Sequence, residues 1–130
     1  MKIISFEYDT DYEPSAPFVE IEVDGYDQRL GRQTIKAMLD SGADASFIPV
    51  PLLNSVGASY KETRWMRGAI GTRTEVDLYL VAIRIGTTWV RGLHVIGAPA
   101  TDEAVIGRDV LNELVVTLNG PAQATEIQVE

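Results

Sequence analysis

The chain has 130 residues, which suits a single domain with its own hydrophobic core. Hydrophobic residues make up 45% and charged residues 23%, so the composition is that of a globular protein and excludes wholesale disorder. The net charge of −8 argues against nucleic-acid and anionic-membrane partners, and the lack of cysteine excludes disulfides, thiolate nucleophiles and cysteine-based metal sites.

The N-terminal sequence, MKIISFEYDT, lacks the long apolar core of a signal peptide, and no run of residues reaches membrane-spanning length. We therefore expect a cytoplasmic protein with no membrane partner. Residues 7–17, EYDTDYEPSAP, are acidic and contain two prolines. Residues 1–17 are thus predicted to form a flexible arm or an edge segment, followed by one domain over residues 18–130.

Short strands dominate the rest of the chain. Alternating or continuous apolar runs predict strands over residues 18–23, 34–39, 74–85, 89–96 and 105–106, and two more around the turn Asn119-Gly120-Pro121. Helical spacing occurs in Arg108–Leu114, and Pro49–Val56 suits a short turn or helix. This pattern indicates an all-β fold, either a small barrel or a sandwich.

The segment AMLDSGADASFI, residues 37–48, is the strongest candidate for chemistry. Asp40 follows an apolar run directly, and Phe47 and Ile48 resume it, so we expect a turn between two buried segments and a buried carboxylate. An unpartnered buried carboxylate costs several kcal/mol of folding free energy. We therefore expect Asp40 to have a partner or a function that accounts for this cost. The Asp-Ser-Gly triplet alone also suits an ordinary turn in which the aspartate bonds to its own backbone.

Two further segments have patterns that predict a definite local structure. AVIGRDVL, residues 104–111, reads as a strand, a turn and the start of a helix, and GAIGT, residues 68–72, reads as a hairpin tip with an apolar residue at its point. No second Asp-Ser/Thr-Gly triplet occurs in the sequence. His94, the only histidine, lies in an apolar run and is expected to be a strand residue rather than a base.

In this order the segments resemble the retropepsin-like aspartic proteases, the single-domain enzymes typified by retroviral protease. The resemblance covers roughly residues 18–118, and the pairing of LDSGADASFI with VIGRDVL carries it. It implies an all-β fold, a small closed acid-protease-type barrel with one short C-terminal helix, that forms an obligate homodimer. It also implies that a C-terminal strand such as ATEIQVE joins an inter-subunit sheet, although this segment suits a frayed edge strand equally well.

The resemblance also assigns roles to the residues of the first segment. It implies that Asp40 is catalytic, that Ser41 links the two active-site loops across the dimer, and that Gly42 offers its backbone to the substrate. It further implies that Asp44, which follows Ala43, pairs with Arg108 and braces the loop.

A flap that covers the substrate is implied at residues Gly68, Ala69, Ile70 and Gly71, with Ile70 at its tip. The implied function is an aspartic endopeptidase that acts on peptides or unfolded proteins without a cofactor or metal. The alternatives are a non-catalytic dimerisation or peptide-binding module with the same fold, and an enzyme that cleaves only its own precursor.

Overall fold

A computed structural model of the chain describes residues 2–27, 30–68 and 70–129. The elements in chain order are β1 (Lys2–Glu7), β2 (Phe18–Gly25), β3 (Gln33–Leu39), β4 (Phe47–Pro49), α1 (Val50–Ser55), β5 (Ser59–Arg67), β6 (Arg73–Ile85), β7 (Thr88–Ala98), β8 (Ala104–Ile106), α2 (Arg108–Leu111), β9 (Val115–Asn119) and β10 (Ala124–Val129). The predicted all-β class is confirmed.

A closed barrel is the centre of the fold. Its strands follow the order β2-β3-β8-β4-β7-β6, and β6 pairs back onto β2 to close the ring. Most neighbours are antiparallel, but β3 pairs with β8, and β4 with β7, in parallel. The two parallel pairs bring strands that are distant in sequence side by side, and β3 and β8 lead into the two segments singled out above.

Alternation along the strands explains the core. In β2, Val19, Ile21 and Val23 are buried while Glu20 is exposed, so one face of the strand points into the barrel. The same holds around the ring, where the buried residues include Ala37, Ile48, Val81, Ile83, Val95, Ala104 and Ile106. A barrel closed in this way leaves only the ends of its strands free for loops that carry function.

The two helices lie at the two places where the sequence indicated helical structure. The helix α1 lies within Pro49–Val56, where a short turn or helix was expected, with Pro51 in its first turn and Leu53 buried beneath it. The prediction of a helix over Arg108–Leu114 was wrong in extent, because α2 ends at Leu111. Beyond that point Glu113 and Leu114 donate their amides only three residues back, which tightens the chain into turns.

The acidic arm, which the sequence predicted as a flexible arm or an edge segment, contacts the barrel through backbone and side-chain interactions. Asp9 and Ala16 exchange two backbone hydrogen bonds of 2.8 and 3.1 Å, and the Tyr12 ring lies 5.5 Å from the buried Phe18 ring. The Tyr12 hydroxyl also bonds to Glu103. The Asp11 amide, with a smaller contribution from Lys36, holds the pKa of the Asp9 carboxyl below its usual value.

A separate three-stranded sheet has the order β1-β10-β9. The segment β1 was expected at most as an edge segment, and it is an edge strand here, with Ile4 and Phe6 packed against the core. The C-terminal strand β10 lies in the middle of this sheet, so it is not a frayed edge. Its buried Ile127 and Val129 fasten the sheet to the barrel core.

The strands β5 and β6 form a long hairpin. Residues Arg73–Asp77 of β6 pair with β5 alone, whereas pairing with β7 begins at Leu78 and pairing with β2 at Val81. The hairpin therefore extends beyond the barrel as a two-stranded ribbon. At its tip the Gly68 amide donates to the Thr72 carbonyl (2.6 Å), and Gly71 has a φ of +81°, which only glycine adopts without strain.

Candidate active site

Two loops meet at one end of the parallel pair β3 and β8. The Asp40 amide donates to the Ile106 carbonyl (2.9 Å), and the Arg108 amide donates to the Ala43 carbonyl (2.9 Å). These two bonds continue the pairing of the strands beyond their ends and fix the loops to each other. The segments DSGA and GRD, far apart in sequence, thus form one structural unit.

Asp40 lies in a tight turn directly after β3. Its Oδ1 accepts the Gly42 amide (2.9 Å), and its carbonyl accepts the Ala43 amide (3.1 Å). One carboxylate oxygen is therefore oriented by the backbone of its own turn, in the manner common for aspartate before Ser-Gly.

The prediction that Asp40 is buried was wrong for the single chain. Leu39 is half-buried, but Asp40, Ser41 and Gly42 are exposed. The physical reason is that the turn caps the end of the barrel, where the strands stop and no other element of the described chain covers it. The Asp40 carboxylate therefore faces solvent in one copy of the chain.

Arg108 braces the turn from the neighbouring loop. One terminal guanidinium nitrogen donates to the Ser41 carbonyl (2.6 Å), and the other contacts the Asp44 carboxylate. Asp44 and Arg108 are thus brought together. The pair is exposed, with 87% of the Asp44 side chain accessible, so its direct contribution to stability is small, and it acts mainly by orienting the loop.

A second link between the loops is buried and was not predicted from the sequence. Ser46 is completely buried; its Oγ donates to Asp109 Oδ1 (2.7 Å), and its amide donates to Asp109 Oδ2 (2.9 Å). The same Oγ accepts the Gly107 amide (3.0 Å). We call this set the Ser46–Asp109 network. A buried Ser in a turn has no distinctive sequence pattern, and only Asp109, within the GRD segment, could have drawn attention to it.

Gly107 is required by the close approach of the loops. A Cβ atom at this position would lie 2.7 Å from the Ala45 carbonyl oxygen and 2.8 Å from that of Ala43. Those contacts are with backbone, which cannot move aside without breaking the hydrogen bonds between the loops. Glycine is thus the only residue that fits.

The structure does not bring the flap candidates into contact with the Asp40 turn by any hydrogen bond among the described residues. Gly68, Ile70 and Gly71 lie at the tip of the β5–β6 hairpin, and Ile70 is 88% exposed. Ala69 lies outside the described residues. An exposed isoleucine at the end of a projecting hairpin is a surface available for contact with another molecule.

An apolar groove of about 310 Å³ adjoins the turn. It is lined by Leu39, Ser41, Leu111, Leu114, Val116 and Leu118. Within the ranges that the structure covers, no cluster of three or more His, Cys, Asp or Glu side chains could hold a metal ion. No helix in the described part of the chain is long and apolar enough to cross a membrane.

The closed barrel and the paired loops define the retropepsin-like class of aspartic proteases. The model of the family described as "gag-polyprotein putative aspartyl protease" matches residues 27–113, about two thirds of the chain, including Asp40 and Arg108. The chain belongs to this family. No curated protein matches it significantly.

Solved structures show the same fold. A retropepsin-like aspartic protease from Rickettsia conorii superposes with a TM-score of 0.65 at 12% identity, covering 97% of this chain and 90% of that one. EIAV protease, solved with the inhibitor HBY-793, gives a TM-score of 0.54 at 19% identity, covering 75% of this chain and 86% of that one. At these identities the likeness concerns the fold alone.

The Ser46–Asp109 network generates a stability prediction. Ser46→Ala removes the hydroxyl and leaves the Gly107 amide without its acceptor, so the free energy of unfolding should fall by about 1–3 kcal/mol. Urea denaturation measures the change. Ser55→Ala is the matched control, because its hydroxyl donates to the Leu52 carbonyl (2.7 Å) at an exposed position, and it should cost less than about 0.5 kcal/mol. Equal losses for the two variants would contradict the role given to Ser46.

Proposed function

We propose that the chain is an aspartic endopeptidase that hydrolyses peptides or unfolded proteins with a water activated by two Asp40 carboxylates, one from each subunit of a homodimer. The observation that carries this proposal is the geometry of the Asp40 turn. The Asp40 carboxylate stands exposed at the end of a closed barrel; the Gly42 amide orients it, and two hydrogen-bonded loops hold its turn. Membership of an aspartyl protease family supports the same reading.

The chemistry requires two carboxyl groups in different protonation states. One carboxylate takes a proton from the attacking water, while the other, protonated, gives a proton to the substrate. Two carboxyls about 3 Å apart cannot both ionise, so they share one proton. The sequence holds one Asp-Ser-Gly triplet, so the second carboxyl comes from a second copy related by a two-fold axis.

Exposure of the turn supports the pairing. Asp40 and Ser41 are both accessible in one chain, which leaves them free to meet the same residues of the partner subunit. In the dimer, Ser41 links the two turns through its hydroxyl, and Gly42 presents its backbone to the substrate. The two Asp40 carboxyls then titrate as a pair, and their apparent pKa values belong to the dyad.

The β5–β6 hairpin acts as the flap in this proposal. A projecting two-stranded ribbon with the apolar Ile70 exposed at its tip can close over a bound peptide and exclude water from the reacting bond. The glycines Gly68 and Gly71 on either side of the tip permit the change of backbone conformation that closure needs.

The first functional prediction concerns the dyad. Asp40→Asn removes the group that takes and gives the proton, so cleavage of denatured protein or a peptide library between about pH 3 and 7 should fall by on the order of 10³-fold or more. Asp102→Asn, in an exposed loop, is the matched control and should leave the rate unchanged. Activity that survives in Asp40→Asn would rule out the mechanism, and a wild type inactive on all substrates would favour the non-catalytic module.

The second functional prediction concerns the β5–β6 hairpin, which is the proposed flap. Ile70→Ser removes the apolar contact at the tip and should lower kcat/KM for a peptide substrate by roughly 10-fold, with an unchanged free energy of unfolding because the side chain is exposed. Leu30→Ser, an aliphatic residue that is 66% exposed on another loop, serves as the control. If both variants cleave at the wild-type rate, the hairpin tip has no part in catalysis.

A further inference from the structure

The three-stranded sheet restricts how two copies can join. Its central strand β10 pairs with β1 on one side, from Lys2 opposite Val129 onward, and with β9 on the other, from Ala124 opposite Asn119 onward. The C-terminal strand therefore has no free edge to give to a partner subunit. The free edges of the sheet are those of β1 and β9.

The β9 edge is uncharged and partly apolar. Its sequence is VVTLN, in a chain whose net charge is −8. Val115 and Leu118 are each 55% exposed. Two copies of an acidic chain repel each other, and an uncharged strip is where they can approach at the lowest electrostatic cost.

Leu118 lies on the face of the three-stranded sheet whose β10 side chains are buried against the barrel core. Its neighbour across the ladder is Thr125, and Val116 lies opposite Ile127; both β10 residues are completely buried. Side chains two apart in a strand share a face, so Leu118 belongs to the core-facing side. It is exposed because no other residue in the described part of its chain covers it. An apolar side chain in this position is typical of an interface.

The groove described above connects this strand to the catalytic turn. Val116 and Leu118 form one part of its lining, and Leu39 and Ser41 form another. A second protein chain that packs on the β9 edge and over the groove therefore reaches the turn that carries Asp40. The β1 edge lies on the opposite side of β10, without such a connection.

From these observations we propose that two copies join edge to edge through β9, antiparallel about a two-fold axis. The result is a six-stranded sheet in the order β1-β10-β9-β9-β10-β1, with Leu118 of each copy covered by the other. This inference rests on the proposed function, because the Asp40 dyad is what demands a second copy. Each subunit completes its own three-stranded sheet, and the chain ends are not exchanged between subunits.

A charge placed on each free edge tests the interface by sedimentation velocity over a concentration series. Leu118→Asp puts two like charges near the two-fold axis and should raise the dimer dissociation constant by about 100-fold or more. Ile3→Asp is the matched control, since Ile3 is 52% exposed on the β1 edge, and it should leave the constant unchanged. Dissociation by Ile3→Asp, or a dimer that persists in Leu118→Asp, would overturn the proposal.

Cross-linking gives a second readout that does not depend on destabilising the sheet. The chain has no cysteine, so a single introduced thiol can form a disulfide only between chains. We place the two-fold axis at the middle of β9, so that Thr117 of one copy lies opposite Thr117 of the other. Thr117→Cys then brings two thiols within the ~5 Å that a disulfide between paired strands tolerates. It should yield a covalent dimer under mild oxidation, whereas Ser5→Cys on β1 should not. The reverse pattern would refute the β9 interface.

Asp40→Asn separates this inference from the proposed function. The variant should sediment as a dimer while losing cleavage. A cleaving Asp40→Asn dimer joined through β9 would overturn the proposed mechanism and leave the interface intact. An active enzyme whose dimer survives Leu118→Asp would overturn the interface and leave the mechanism intact.

Discussion

The parallel pairing of β3 with β8 is the constraint on which the rest of the structure depends. It places the ends of two strands side by side, so that the turn at Asp40 and the loop at Arg108 grow out of one edge. The close approach is possible only because Gly107 has no side chain. The Ser46–Asp109 network then fixes the two loops from inside, while Arg108 fixes them from outside.

In this arrangement the three carboxylates of the site, Asp40, Asp44 and Asp109, have different roles. Asp109 is a structural acceptor for buried donors, and Asp44 is a partner for a guanidinium. Asp40 differs from both, because the contact of its carboxylate among the described residues is with the backbone of its own turn. A rigid frame around one unpaired, accessible carboxylate is what a symmetric dyad requires of each subunit. The proposed β9 junction would bring the second carboxylate without altering that frame.

Much of the fold could be predicted from the sequence because barrel strands alternate and are punctuated by glycine and proline. The motif pair around Asp40 and Arg108 was equally visible. Three features were not. The burial of Ser46 depends on a loop more than sixty positions away. The order in the arm comes from Tyr12 packing on Phe18. The strand β10 is central because β1 pairs with its outer edge. The alternation that marks β1, with Ile4 and Phe6 packed against the core, is short, and an acidic stretch typical of an arm follows it.

The most direct test of the central claim, that each active site takes one Asp40 from each of two chains, is a mixing experiment. Wild-type chain at fixed concentration is incubated with increasing amounts of Asp40→Asn chain until subunits exchange, and peptide cleavage is measured. Mixed dimers hold one carboxyl and cannot share a proton, so cleavage should decline as the inactive chain is added. Cleavage that stays constant through complete exchange would contradict the account, because each chain would then act with its own Asp40 alone.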